Sequence, residues 1–178
     1  MGQTEEEIKQ SEIYQVFVGK QVNKDIHRMK GKNMVEFAES LGDLNPKYVD
    51  VGVNENGKPD YSKIIAHPAY PNCFTVDAAM DLLGWKFPLK EGQTEPTPFI
   101  LSFGKVLHSG QTYDYSNAEC PIIHGMKLYT TGFLEKAYVR NNRLWLQMHL
   151  DTHTKDGKLV VQTTVYTVFR EGGFSLTN

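Results

Sequence analysis

Three observations predict an α+β fold in which one buried helix is wrapped by a long antiparallel sheet. Before residue 84, apolar residues recur at helical spacing in two stretches that each stop at a glycine, Gly42 and Gly84. The second of these stretches, residues 71–83, is apolar nearly all the way round, the composition of a helix enclosed by the rest of the fold. From Phe99 onward the pattern changes to period two, and short polar turns separate the runs.

Taken in order, Thr4 and Glu7 have the spacing of a capping box, so a short helix is expected to begin there, with Ile8, Ile13 and Tyr14 as its apolar contacts. Residues 16–22 approach the body through Gly19. Asn33 and Glu36 mark the start of a second helix, in which Met34, Val35, Phe37, Ala38 and Leu41 share one face up to Gly42. Residues 52–63 are rich in Gly, Asn, Asp and Lys and are expected to form an exposed loop. Ile64 to Pro68 re-enters the body and leads into the apolar helix at 71–83. Residues 86–98 hold three prolines and a glycine and read as a connection.

Strands are predicted over residues 100–107, 111–116, 127–140, 143–153 and 159–170. Asn141-Asn142 and Lys155-Asp156-Gly157-Lys158 are hairpin signals, so the last three strands form an antiparallel meander. Leu144, Leu146, Met148 and Leu150 fall on one face; Arg143, Trp145, Gln147, His149, Asp151 and His153 fall on the other. Helices preceding a sheet that wraps one of them is the arrangement of the hot-dog fold.

Composition narrows the function. The chain of 178 residues is the size of one domain, taken as 1–178 with a core over about 16–170, and it is 40% hydrophobic. A net charge of −2 and a pI near 6.3, without a basic run, argue against nucleic acid or an anionic membrane as a partner. No apolar segment approaches the roughly 18 residues of a spanning helix. The start, Met1-Gly2-Gln3-Thr4-Glu5-Glu6-Glu7, is acidic and polar, unlike a signal peptide. Cys73 and Cys120 are far apart and in no metal-type spacing, so a reduced, cytoplasmic protein is expected.

The stretch that holds the candidate chemistry is Gly42-Asp43-Leu44-Asn45-Pro46-Lys47-Tyr48-Val49-Asp50. Gly42 can end the helix in a left-handed conformation, and Pro46 keeps Asn45 out of helical angles. The result is a rigid turn that presents a carboxylate, an amide and a phenol in fixed order. An Asx-type turn, in which Asp43 and Asn45 only satisfy backbone groups, is the alternative.

This turn resembles the Gly-Asp-x-Asn-Pro-x-His-x-Asp motif of the MaoC-like hot-dog family, the R-specific enoyl-thioester hydratases and 3-hydroxyacyl-thioester dehydratases. The resemblance continues in Ala66-His67-Pro68, in His108-Ser109-Gly110-Gln111-Thr112-Tyr113-Asp114-Tyr115 and in Cys120-Pro121-Ile122-Ile123-His124-Gly125. Within the family the chain is most similar to the N-terminal FAS1-type dehydratase or non-catalytic subunit type. The resemblance implies a catalytic pair of the motif Asp and the motif His. Asp43 holds the first position, but Tyr48 stands in the second. A phenol with an ordinary pKa of about 10 is a poor general base where an imidazole near 6.5 can cycle. Such a substitution resembles the non-catalytic half of two-domain members and heterodimeric dehydratases, in which one hot-dog domain shapes the acyl pocket and the other carries the catalytic pair.

The resemblance therefore marks Asp43, Tyr48 and His67 as candidate catalytic residues, and Asn45, Pro46, Pro68, Ala69 and Phe74 as candidate substrate contacts. His67 could replace the missing imidazole, or simply hydrogen-bond its own loop. Pro68 lacks the N–H that would stabilise a thioester oxygen near the start of the apolar helix. His108 and His124 flank family-like positions but read as structural. His149, Asp151 and His153 share a strand face, yet alternate residues lie about 7 Å apart, so the outer pair is about 13 Å apart, too far to share one metal ion. Cys73, inside an apolar helix, reads as core rather than as a nucleophile.

The expected function is an acyl-thioester-binding subunit of an R-specific enoyl-CoA hydratase or 3-hydroxyacyl-thioester dehydratase of fatty acid metabolism. It takes no cofactor or metal, its ligand being a thioester of coenzyme A or acyl carrier protein. Its partner is a second hot-dog subunit, in a homodimer or with a catalytic MaoC-like protein. Two alternatives remain: a non-catalytic acyl-CoA-binding protein, and a self-sufficient homodimeric hydratase with a substitute base.

Overall fold

The computed structural model describes residues 3–175; Met1 and Gly2 of the acidic start lie outside the described residues. The chain forms α1 (Glu5–Tyr14), β1 (Asp25–Arg28), α2 (Gly31–Ser40), α3 (Pro46–Val49), β2 (Gly52–Val53), β3 (Pro59–Asp60), α4 (Asn72–Ala79), β4 (Val106–Asp114), β5 (Lys127–Arg140), β6 (Arg143–Thr154) and β7 (Leu159–Phe169). Five strands make one antiparallel sheet in the order β1-β5-β6-β7-β4, which curls around α4; this is the hot-dog arrangement.

The meander follows the sequence closely. Asn141 and Asn142 both adopt φ 54°, the left-handed pair that a two-residue hairpin turn requires. Leu144, Leu146, Met148 and Leu150 are fully buried on the inner face of β6, and the alternate residues are half-buried or exposed on the outer face.

Elsewhere the fold departs from expectation. The strands predicted at 100–107 and 111–116 are one strand, β4, interrupted by a bulge between His108 and Gly110. Residues Phe103–Lys105 form a 3-10 turn instead, and Ile100 pairs only through an isolated bridge to Phe174. β4 pairs with β7 rather than with its sequence neighbour, so the chain crosses over before β5. β1 carries no apolar alternation, because its four residues are Asp25, Ile26, His27 and Arg28, and Ile26 is exposed. The loop predicted at 52–63 contains the small β2–β3 ladder.

The apolar helix is shorter and less enclosed than its composition suggests. α4 ends at Ala79 and continues as a 3-10 turn, Met80–Gly84. Phe74, Thr75, Ala78, Ala79 and Leu82 are buried against the sheet, but Cys73 is exposed, and so is Asp77. The sheet covers one side of the helix, so a run of apolar residues does not enclose it.

Two apolar clusters hold the layers together. In the first, Tyr14 and Phe17 pack on Phe87, Phe99 and Phe174, with ring centroids of Phe17 and Phe99 4.3 Å apart. Phe87 comes from the stretch read as a connection, and its burial is worth about 1.5–3 kcal/mol. Ile8, expected to make contacts on α1, is instead exposed. The second cluster joins Met29, Met34, Ile64, Tyr70, Phe74, Ile122, Leu128 and Val160, and it lies beneath α2 and the Gly42–Asp50 turn.

Candidate active site

α2 begins at Gly31, two residues before the expected Asn33. Lys30 offers no side-chain cap, and the Gly31 N–H donates to His124 Nδ1 at 2.9 Å. His124 therefore anchors the helix start, its ring packed near Tyr61, and takes no place in the site. At the other end Gly42 adopts φ 73°. The Gly42 N–H donates to Glu39 C=O at 2.9 Å and the Asp43 N–H to Ala38 C=O at 3.1 Å, which closes the helix in a Schellman pattern.

This closure fixes the polar turn. Asp43 Oδ1 accepts the Asn45 N–H at 3.0 Å, and Asn45 Oδ1 accepts the Lys47 N–H at 3.2 Å as the N-cap of α3. Pro46 occupies the first position of that short helix and is exposed, where its missing N–H costs nothing. Asn45 and Pro46 are thus backbone-shaping residues, as the Asx-turn alternative describes. Asp43 has a second contact, since its Oδ2 faces His67 Nε2 at 3.4 Å.

His67 is the centre of the constellation. Its ring lies edge-on to Tyr48 with centroids 5.1 Å apart, and Phe37 packs against it at 5.9 Å. Its Nδ1 accepts the Ala69 N–H at 3.1 Å. A backbone N–H can only donate, so in the neutral ring Nδ1 carries the lone pair and Nε2 carries the proton that faces Asp43. Both nitrogens are occupied.

The three candidate catalytic residues are therefore brought together, and Tyr48, though not Asp43 or His67, lines a cavity of about 210 Å³. Tyr48, Ile65, Ala66, Pro68, Tyr115, Pro121 and Ile122 line it, with exposed Lys47 at the rim. The Tyr115 hydroxyl donates to Pro68 C=O at 2.6 Å, which ties two of the lining residues together. Tyr115 is 37% exposed, but desolvation of its phenol oxygen raises its pKa above the ordinary range, and the nearby phenols of Tyr113 and Tyr48 push it the same way. The Lys47 ammonium sits 4.7 Å from the centroid of the Tyr48 ring. Lys47, Ile65, Tyr115, Pro121 and Ile122 were not picked out as site residues by sequence, although all but Ile65 lie in the stretches that carry the family resemblance.

Phe74 does not belong to this constellation. It is 2% exposed, packs on Tyr70 and on His27 at 4.9 Å, and lines a separate open cleft with Cys73. No residue of α4 lines the cavity at Tyr48. Ala69 contributes its N–H to His67 rather than a wall. Cys73 is exposed rather than core, yet partial desolvation of its sulfur by the surrounding chain, and then the Asp77 carboxylate, raise its thiol pKa. His108 is exposed on β4. His149 pairs with Asp151 at 3.1 Å, and Asp151 also accepts from Gln162 Nε2 at 2.9 Å. Among the described residues no group of three or more His, Cys, Asp or Glu is placed to hold a metal ion.

Comparison with known proteins agrees with this architecture. Residues 16–163 match the family model described as the FAS1-like dehydratase domain region. The chain belongs to this family of MaoC-like hot-dog dehydratases. The UPF0336 protein SCO4636 of Streptomyces coelicolor is 29% identical over 128 residues, covering 71% of this chain and 73% of the relative. R-hydratase PhaJ1 from Pseudomonas aeruginosa shares the fold with a TM-score of 0.54 at 19% identity, over 86% of this chain and 82% of that one. The 3R-hydroxyacyl-ACP dehydratase complex HadBC from Mycobacterium tuberculosis does so with a TM-score of 0.55 at 14% identity, over 81% of this chain and 90% of that one. Among the described residues of this MaoC-like chain, no helix is long and apolar enough to cross a membrane.

Proposed function

We propose that this MaoC-like chain is the acyl-thioester-binding subunit of an enoyl-thioester hydratase or 3-hydroxyacyl-thioester dehydratase, and that a second hot-dog subunit supplies the catalytic imidazole. The occupied state of His67 carries this reading. Reversible hydration needs one group to move a proton at the α-carbon and another to handle water or hydroxyl at the β-carbon. Tyr48 stands in the imidazole position, and His67 has no lone pair to spare while Ala69 donates to it. Asp43 alone remains as a carboxylate acceptor in the turn that carries Tyr48.

The sheet supports a partner. β1 and β4 are both edge strands, and nine-residue β4 exposes Leu107, with Leu101 and Phe103 exposed just before it. An uncovered edge of that length invites pairing. The HadBC neighbour is itself a complex, which is consistent with division of the reaction between two hot-dog chains. The ligand in this reading is a thioester of coenzyme A or acyl carrier protein, and the setting is cytoplasmic fatty acid metabolism.

A self-sufficient hydratase is the second reading, favoured by the 3.4 Å approach of His67 to Asp43. Hydration of short and medium trans-2-enoyl-CoA by the purified chain separates the two, measured alone and then co-expressed with a hot-dog protein encoded beside it. Turnover only with the partner is the expected result. Robust turnover by the chain alone, abolished by Asp43→Asn, would overturn the subunit reading. Tight acyl-CoA binding with no turnover in either arrangement would assign a binding protein instead.

A further inference from the structure

The cavity beside Tyr48 has few hydrogen-bond donors left to offer a ligand. The Ile65 N–H is spent on Lys47 C=O at 2.9 Å, and the Ala66 N–H on Ile122 C=O at 2.8 Å. The Tyr48 N–H goes to Asn45 C=O at 2.8 Å, the Lys47 N–H to Asn45 Oδ1, and the Tyr115 hydroxyl to Pro68 C=O. Pro68 and Pro121 have no N–H to give. Among the described lining residues, the Tyr48 hydroxyl and the Lys47 ammonium are the side-chain donors without a hydrogen-bond acceptor.

These two donors differ in kind and in depth. Tyr48 is 5% exposed and lines a largely apolar cavity, where a neutral acceptor is the fitting partner for its hydroxyl and a carbonyl oxygen the commonest one. Lys47 is exposed at the rim, its ammonium over the face of the Tyr48 ring, where it keeps its hydration and can meet an anion. At about 30 Å³ per water-sized group, about 210 Å³ takes about seven such groups, enough for a short acyl segment and its carbonyl but not for a bulky charged carrier.

We propose that Tyr48 and Lys47 form a two-point acceptor site, in which the Tyr48 hydroxyl donates to the acyl carbonyl oxygen and the Lys47 ammonium pairs with an anionic group of the same ligand. This rests on the acyl-thioester reading above and specifies how that ligand is held. Tyr48 is then a binding residue that orients the carbonyl, rather than a failed base. The anion is either a phosphate of the thioester carrier or a carboxylate on the acyl group itself, because an ammonium at the rim serves both.

Calorimetric titration of the full chain distinguishes these sources. The probes are butyryl-N-acetylcysteamine, which is neutral, butyryl-CoA, which adds phosphates, and succinyl-N-acetylcysteamine, which adds an acyl carboxylate. Tyr48→Phe, which keeps the ring, is expected to weaken all three by about 2- to 10-fold. Lys47→Met, which keeps the stem, is expected to leave the neutral probe unchanged and to weaken an anionic one by about 2- to 5-fold. Loss confined to butyryl-CoA assigns the carrier phosphate, and loss confined to the succinyl probe assigns the acyl carboxylate. Circular dichroism checks that each variant is folded. Unchanged binding in both variants, or equal loss of neutral and anionic probes in Lys47→Met, overturns the two-point site and leaves the thioester reading standing. Failure of the unmodified chain to bind any of the three overturns both.

Discussion

His67 Nε2 faces Asp43 Oδ2 at 3.4 Å while its Nδ1 accepts the Ala69 N–H at 3.1 Å. The ring therefore orients a carboxylate with one nitrogen and closes its own loop with the other. His67→Gln is expected to keep the fold, since a side-chain amide can serve at least one of these contacts. With Asp43 well exposed, the pair is worth only about 0–1 kcal/mol of stability, and chemical denaturation checks that small loss.

Gly42 is required for its backbone angle and not for space. A Cβ at this position meets nothing within 4 Å, but φ is 73°. Gly42→Ala is expected to cost about 1–2 kcal/mol and to displace Asp43. Gly84, where a Cβ also meets nothing and φ is not left-handed, is the control: Gly84→Ala is expected to be neutral or slightly stabilising. Equal losses at the two positions would count against the turn geometry.

Glu7 ties the N-terminal helix to the β5–β6 hairpin. Its carboxylate accepts the Thr4 N–H at 2.8 Å and the Asn141 N–H, and these bonds lower its pKa below the ordinary 4.5. A lowered folded pKa means stability that is present above about pH 4.5 and is lost as pH falls through the folded value. Thermal midpoints measured from pH 7 to pH 3 are expected to fall at the acid end. Glu7→Gln should lower the neutral-pH midpoint and flatten that acid slope.

Tyr115 gives the opposite sign. Its raised phenol pKa means stability that is fully present below the unfolded pKa near 10 and is lost as pH rises through the folded value. Ultraviolet titration should show a phenol that ionises later than an ordinary tyrosine and disappears in Tyr115→Phe. The same variant loses the bond to Pro68 and is expected to be less stable by about 1 kcal/mol.

What sequence could show follows from how local each signal is. β5 to β7 were legible because apolar alternation, a left-handed Asn pair and a Gly turn mark each boundary within a few residues. β1 was not, since Asp25 to Arg28 form a short edge strand whose pairing with β5 depends on residues a hundred positions away in about the same way for any polar sequence. The exposure of Cys73 was hidden because composition reports what a helix can bury, while the sheet decides which side it covers. In the site, Asp43 and Tyr48 share one turn and a family-like motif. Tyr115 reaches Pro68 across 47 residues, and no local pattern announces such a contact.

Nitrogen-15 NMR of His67, assigned by its loss in His67→Gln, is the most direct test of the claim that this chain has no imidazole base to offer. The geometry predicts a neutral ring protonated at Nε2, with an unprotonated Nδ1 that accepts a hydrogen bond. A ring protonated at Nδ1, with a free lone pair on Nε2 toward Asp43, would contradict it.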